Sequence, residues 1–229
     1  MTSLKTHIAI IPARAGSVRF PNKNRSEIAG ETLLEITCRS IRASGYCKRI
    51  ILSTDDPSLQ HQGEQLEIEV HPRPADLATS DASSEAVLRH VIKHANLENE
   101  KIVLTQITSP LRTGDDIRAT IEKAAHSPNG SAVSVTPWRV PPSPPYGSID
   151  DSDILGECAN EEWQKHAQLN ARAWAVNGAV YVFSAANFLK TDKIYDPTST
   201  LHVMENWRSI DIDYVSDLEI IKRLIPEKK

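Results

Sequence analysis

IAIIPARAGSVRFPNKN, residues 8–24, decides how this chain is read. Four apolar residues run unbroken into a loop carrying Arg14, Gly16, Ser17, Arg19, Lys23 and Asn24. A short continuous apolar run suits a strand buried on both faces of a parallel sheet, and the loop leaving such a strand is where α/β sheets gather ligands. The loop is neither G-x-x-x-x-G-K-[ST] nor G-x-G-x-x-G, because no Gly-Lys-Ser/Thr follows at that spacing and Gly16 stands alone. What it offers is a tight turn, Ala15-Gly16-Ser17, whose N–H groups can form an anion nest, with cations at 14, 19, 23 and 25 around it. Guanidinium groups bind phosphate in a planar, multidentate way that point charges do not. The plain alternative is a solvated basic loop.

Outward from this stretch the same rhythm repeats. RIILSTDD (49–56) reads as a second strand, and ETLLEITCRSIRAS (31–44) between them places Ile28, Leu33, Leu34, Thr37 and Ile41 near one helical stripe. Then follow strand LEIEV (66–70), helix SSEAVLRHVIKHA (83–95), strand KIVLTQI (101–107), helix GDDIRATIEKAA (114–125) and strand SAVSVT (131–136). Such alternation predicts an α/β fold, a mostly parallel sheet with helices on both faces. Residues 137–176, rich in Pro, Ser and Asp, break the pattern and read as an insertion on a single domain spanning 1–229, with NEEWQKHAQL as a short amphipathic helix. Strands GAVYVFS (178–184) and WRSIDID (207–213) and a closing helix YVSDLEIIKRLI resume it.

Composition narrows the function. With 40% apolar and 24% charged residues this is an ordinary globular chain, and its net charge of −4 disfavours a general nucleic-acid or membrane-surface binder. Cys38, Cys47 and Cys158 are odd in number and widely spaced, which suits thiols in a reducing compartment rather than a disulfide frame or zinc site. No apolar run approaches a membrane span and MTSLKTH lacks a signal-peptide core, so a cytoplasmic location is expected.

Three further stretches bear chemistry. In SIDID (209–213), Asp211 and Asp213 sit two apart in an expected strand, so both carboxylates share a face and suit Mg²⁺ carrying substrate phosphates; two solvent-facing acids are the alternative. In LTQITSPLRTGDDI (104–117), Gln106, Thr108 and Ser109 end a strand where a ligand would lie, while Asp115 and Thr113 read as helix caps. RPADLATSDASSEAV (73–87) sets Arg73 after a strand and Ser83 or Ser84 at a helix start. His90 and His94 are spaced i, i+4, but no Glu follows the first as in H-E-x-x-H; nor is there a G-x-S-x-G nucleophile elbow.

Taken in order, IPARAGSVRFPNKN, ILSTDD, RPADLATSDASS, QITSPLRT and NGAVY…SIDID resemble the acylneuraminate cytidylyltransferases, the CMP-sialic acid and CMP-nonulosonate synthetases, across nearly the whole chain. The resemblance implies a Rossmann-like nucleotidyltransferase fold with a dimerisation insertion at 137–176, and transfer of CMP from CTP to the anomeric hydroxyl of a nine-carbon 2-keto sugar acid, releasing pyrophosphate. It implies that Arg14 and Lys23 hold the triphosphate, with Ala13, Gly16, Ser17 and Asn24 completing the nucleotide loop. Arg73, Ala82 and Ser84 match positions around the cytidine; Gln106, Asn177 and Tyr181 match the sugar pocket. Asp211 and Asp213 match the magnesium carboxylates, Asp211 also activating the sugar hydroxyl. The partners implied are CTP, Mg²⁺, a sugar-acid acceptor and a second copy of the chain.

Departures from that pattern are equally specific. The family loop usually carries Lys where this chain has Val18, with Arg19 adjacent as a stand-in, and Gln-Pro where it has Gln106-Ile107. The arginines that sialate-specific members carry in this region fall at about His166 and Ala175, with Arg172 nearby. The acceptor is therefore left open between a sialic acid and a legionaminate-like, Kdo-like or other keto-acid. A catalytically idle CTP-binding homologue is the rival of another class, and a nicotinamide oxidoreductase lacks its glycine fingerprint.

Overall fold

The computed structural model describes residues 5–16, 19–137 and 174–225. Its centre is a seven-stranded sheet of β1 (His7–Pro12), β4 (Cys47–Thr54), β5 (Glu69–Pro72), β6 (Lys101–Leu104), β7 (Ala132–Pro137), β8 (Trp174–Ser184) and β9 (Thr200–Val203); β2 (Glu27–Ile28) and β3 (Glu31–Thr32) form a separate small hairpin. The order is β5-β4-β1-β6-β8-β7-β9, with β8 antiparallel to both neighbours and every other pairing parallel.

Burial explains why β1 is apolar at consecutive positions. Ile8 and Ile10 enter one core cluster, with Leu88, Val91 and Ile92 of α3 (Ser84–His94) and Phe188 of α5 (Ala185–Thr191). Ala9 and Ile11 enter the other, with Leu33, Leu34 and Ile41 of α1 (Leu33–Ser44), Ile117 and Ile121 of α4 (Gly114–Ala124), and Leu218 and Ile221 of α6 (Val215–Leu224). The register keeps rows on one side: Ile10 lies beside Ile51 and Leu104, all three in the first cluster. Each fully buried Ile or Leu contributes roughly 2–3 kcal/mol, so both faces must be covered by helices. The expected α/β architecture is found.

Local signals start the helices. Thr32 caps α1, its hydroxyl taking the Glu35 N–H while the Glu35 carboxylate takes the Thr32 N–H. Gly114 opens α4 where a Cβ would lie 2.8 Å from the Ala43 backbone, so only glycine lets α4 approach α1 this closely. Gly178 has φ +77°, at an irregularity of the β7–β8 ladder between Val133 and Val135.

Several expectations are corrected. The strand expected at LEIEV (66–70) is shifted to Glu69–Pro72: α2 (Pro57–Gln65) ends just before Leu66, Glu67 turns with φ 53°, and pairing begins at Glu69. SIDID is not a strand either. Asn206–Ser209 form a 3₁₀ turn, and residues 210–213 leave it without sheet partners. Strand β8 starts at Trp174, four residues before the expected 178, so residues 174–176 belong to the sheet. The expected helix NEEWQKHAQL, Cys158, His166 and Arg172 lie outside the described residues. No helix among the described residues is long and apolar enough to cross a membrane.

Candidate active site

The parallel strands β1, β4, β5 and β6 end on the same side of the sheet, so their outgoing loops meet there. A cleft of about 320 Å³ opens at that edge. It is lined by Arg14, Gly16, Arg19, Lys23 and Asn24 from the first loop, Arg73, Ser80, Ala82 and Ser84 from the segment after β5, and Gln106, Ile107 and Thr108 after β6. Ten of the residues marked from sequence therefore share one cavity: Arg14, Gly16, Arg19, Lys23, Asn24, Arg73, Ala82, Ser84, Gln106 and Thr108.

The first loop is shaped by acids from the second. Asp55 Oδ1 accepts the Ala15 N–H at 2.8 Å, so this amide is already engaged and the expected nest has one donor fewer. Arg25 forks onto Asp56, Nε to Oδ2 at 2.8 Å and the terminal nitrogen to Oδ1 at 2.7 Å, and is thereby removed from the set of free loop cations. Burial opposes charge on Asp56, but hydrogen bonds from Arg25 and the Ser58 N–H outweigh it and hold the carboxyl below its ordinary range. Asn24, 7% exposed, donates to the Arg14 carbonyl at 2.9 Å, while its Oδ1 is buried without a hydrogen-bond partner among the described residues. Asn24 thus ties the loop beneath Arg14.

Four cations face the cleft from two directions. Arg14 donates to the Thr79 carbonyl at 3.1 Å, closing the loop over residues 79–82. Arg73 donates to the Ser53 carbonyl at 2.9 Å, and its burial lowers the guanidinium's affinity for its proton. Lys23 donates to the Ile212 carbonyl and to Asp213 Oδ1, both at 2.9 Å. Arg19 pairs with Asp213 Oδ2 at 2.7 Å and lies over the Tyr214 ring, 5.3 Å from its centroid.

The two acids of SIDID differ in surroundings. Asp213 has a cation on each oxygen; burial opposes its charge, and Lys23 and Arg19 more than offset that, holding it below its ordinary range. Asp211 Oδ1 accepts from Ser109 Oγ at 3.0 Å, and among the described residues no ion pair reaches its carboxylate. The segment is docked by the Ile212 N–H on the Thr108 carbonyl at 2.9 Å, which sets Asp211 beside the strand-end loop of the cleft.

The other marked residues sit elsewhere. Ala13 is 2% exposed in the core, its N–H on the Ser53 carbonyl. Asn177 braces β8: it accepts from Ser134 Oγ at 2.6 Å and donates to Ser209 Oγ at 2.9 Å. Tyr181 stacks on Tyr195 with centroids 6.0 Å apart, and burial pushes its phenol up to about 12. Neither is among the cleft-lining residues. Ser17 and Val18 lie outside the described residues. Ser83, not Ser84, caps α3, leaving Ser84 to the cleft. The cap of α4 is Thr113 with Asp116 as its acid; Asp115 instead pairs with Arg118 at the surface.

Two supports carried no functional assignment from sequence. Arg112 is buried beneath the cleft, donating to the Gln106 carbonyl at 2.9 Å and the Ala179 carbonyl at 3.0 Å, with burial pulling its guanidinium down to about 10. It pins the loop bearing Gln106 to β8. Asp116, 3% exposed, takes His202 Nε2 at 3.1 Å and the Arg208 guanidinium, so the 3₁₀ turn ahead of Asp211 is anchored to the start of α4. A polar residue inside a motif was the available signal for Arg112; Arg208 and His202 lie in no motif.

Cationic side chains on one wall and an acid beside the strand-end loop form a cleft suited to a polyphosphate and an oxygen nucleophile. Comparison with known proteins agrees. The family model described as Cytidylyltransferase matches residues 8–200. The chain is 29% identical over 224 residues to CMP-N,N'-diacetyllegionaminic acid synthase of Legionella pneumophila, covering 95% of each. It is 27% identical over 213 residues to N-acylneuraminate cytidylyltransferase of Escherichia coli O18:K1:H7, covering 93% of this chain and 50% of that one. Among solved structures, CMP:2-keto-3-deoxy-manno-octonic acid synthetase complexed with CTP superposes with a TM-score of 0.67 over 96% of this chain and 98% of that one, at 14% identity, a likeness of fold alone. The chain belongs to the cytidylyltransferase family.

Proposed function

We propose that this chain transfers CMP from CTP to the anomeric hydroxyl of a nonulosonic, sialic-acid-like 2-keto sugar acid and releases pyrophosphate. The observation that carries the reading is the single cleft joining Arg14, Lys23 and Arg73 to the loop on which Asp211 is docked. In this reading the acceptor oxygen attacks the α-phosphorus, the bond to pyrophosphate breaks, and the hydroxyl proton passes to Asp211. Ser109 orients that carboxylate. Arg14 and Lys23 offset the charge building on the leaving group, Arg73, Ala82 and Ser84 face the base and ribose, and Gln106 faces the acceptor. Asn177 and Tyr181 act from behind the acceptor side, by bracing β8.

Among the described residues no cation pairs with Asp211, and a hard oxygen donor of this kind fits Mg²⁺. Asp211 and Asp213 would hold the ion, with substrate phosphate oxygens and water completing its shell. When bound, Mg²⁺ supplies charge neutralisation on the phosphates. A homodimer built through the insertion, and a cytoplasmic location, belong to the same proposal. The test is pyrophosphate release from CTP and Mg²⁺ against a panel of sialic, legionaminic, pseudaminic and Kdo acids, with Asp211→Ala as control. Release with at least one acid, abolished in the folded control, is expected; CTP binding with no release for any acid favours the idle homologue.

A further inference from the structure

We infer that Asp213 is the resident counter-anion of the cleft, holding Arg19 and Lys23 where the triphosphate belongs and surrendering them to the incoming nucleotide. The inference rests on the CTP reading above and assigns Asp213 a role in selecting polyphosphates.

Three observations carry it. First, Asp213 spends both oxygens on cleft cations, Oδ1 on Lys23 at 2.9 Å and Oδ2 on Arg19 at 2.7 Å, as two oxygens of a phosphate would be spent. Second, the other two cleft cations are held differently: Arg14 and Arg73 donate to the neutral carbonyls of Thr79 and Ser53, so only the Asp213 pair is neutralised by an acid within 4 Å among the described residues. Third, Asp213 is fixed from behind, its N–H on Asp217 Oδ2 at 2.9 Å in the first turn of α6. The carboxylate therefore stays in place while the long side chains of Arg19 and Lys23 swing.

Arg19 is the more exposed partner, its side chain 55% exposed against 16% for Lys23. The consequence is a competition. A nucleotide must bring enough phosphate charge to outbid a fixed carboxylate for two cations, which CTP does and CMP does not. For the same reason Asp213 becomes available to a metal ion only after the nucleotide has taken its cations.

The test is calorimetric titration with CTP and with CMP in excess chelator, so that no metal enters. Asp213→Asn, which keeps the side-chain shape and loses the charge, should bind CTP about tenfold more tightly than the native chain, two weak ion pairs having been released. CMP affinity should change by less than about twofold, because its single phosphate does not reach both cations. Asp211→Asn removes the same charge without touching either cation, and should leave CTP affinity within about threefold. In an Arg19→Gln background the gain from Asp213→Asn should shrink to about threefold. Equal gains in Asp213→Asn and Asp211→Asn, or CTP affinity unchanged or weakened by Asp213→Asn, would overturn the inference while leaving the CTP reading intact. Failure of the native chain to bind CTP both in chelator and with Mg²⁺ would overturn both.

Discussion

Replacing Asp116 with alanine should be among the most damaging single changes outside the cleft. Its carboxylate accepts the Thr113 N–H at 2.9 Å, the Thr113 hydroxyl at 2.8 Å, His202 Nε2 at 3.1 Å and the Arg208 guanidinium. Losing the helix cap alone costs about 1 kcal/mol. Arg208, with only 19% of its side chain exposed, keeps Glu205 at 3.2 Å but loses its buried partner, which costs more, about 3–4 kcal/mol, the lower part of the range for a broken buried pair. The terms share donors and do not add, so about 4 kcal/mol is expected, or roughly 10 °C in Tm for a domain of this size. Urea unfolding at neutral pH measures it, with Thr113→Ala as the cap-only control at about 1 kcal/mol. Acid separates the charge from the shape. Burial opposes ionisation of Asp116, but His202, Arg208 and Thr113 overcome it and hold the carboxyl well below its ordinary range. Below about pH 4 the unfolded chain therefore binds a proton that the folded chain refuses. The stabilisation is whole above that pH and drains below it, and Asp116→Asn should flatten this part of the profile. A loss no larger than that of Thr113→Ala would refute the reasoning.

His7, 5% exposed, is pulled down to about 4 by burial and by Lys101 and Lys48, so the unfolded chain binds its proton first. Stability should be complete above about pH 6.5 and fall by about 3 kcal/mol as pH drops to about 4. His7→Asn should remove that part of the slope in urea titrations at the two ends; parallel slopes would contradict it. Ser109→Ala should lower turnover about 10–100-fold with CTP affinity within about twofold, because it frees Asp211 without touching the nucleotide loop. Unchanged turnover would show that the Ser109 contact does not orient the base.

The architecture was legible because burial wrote it into short runs. HIAIIP had to be covered on both faces, and its alternate residues do divide between the two clusters. Segments without that contrast escaped. In α2, PSLQHQGEQ buries only Leu59 and Gly63, and in β9, TLHV leaves Leu201 and Val203 exposed, so neither carried a usable period. SIDID was misread because Ile-x-Ile spacing looks the same in a strand and in an extended segment docked on Thr108. Within the site, charge and position after strands marked Arg14, Gly16, Arg19, Lys23, Asn24, Arg73, Gln106 and Thr108, and the family resemblance added Ala82 and Ser84; all ten line one cleft. Sequence spacing does not reveal what a side chain is already bonded to. Arg25 reads as a free loop cation, yet its guanidinium is spent on Asp56, and Asn177 already bonds Ser134 and Ser209.

The central claim is that this cleft makes a CMP–sugar-acid bond, and pyrophosphate release from CTP tests it most directly. With Mg²⁺ and a panel of nonulosonic acids and Kdo, release should appear with at least one acid and match the CMP-sugar formed mole for mole, and it should vanish in Asp211→Ala. Release with none of the acids, from a folded chain that binds CTP, would contradict the claim.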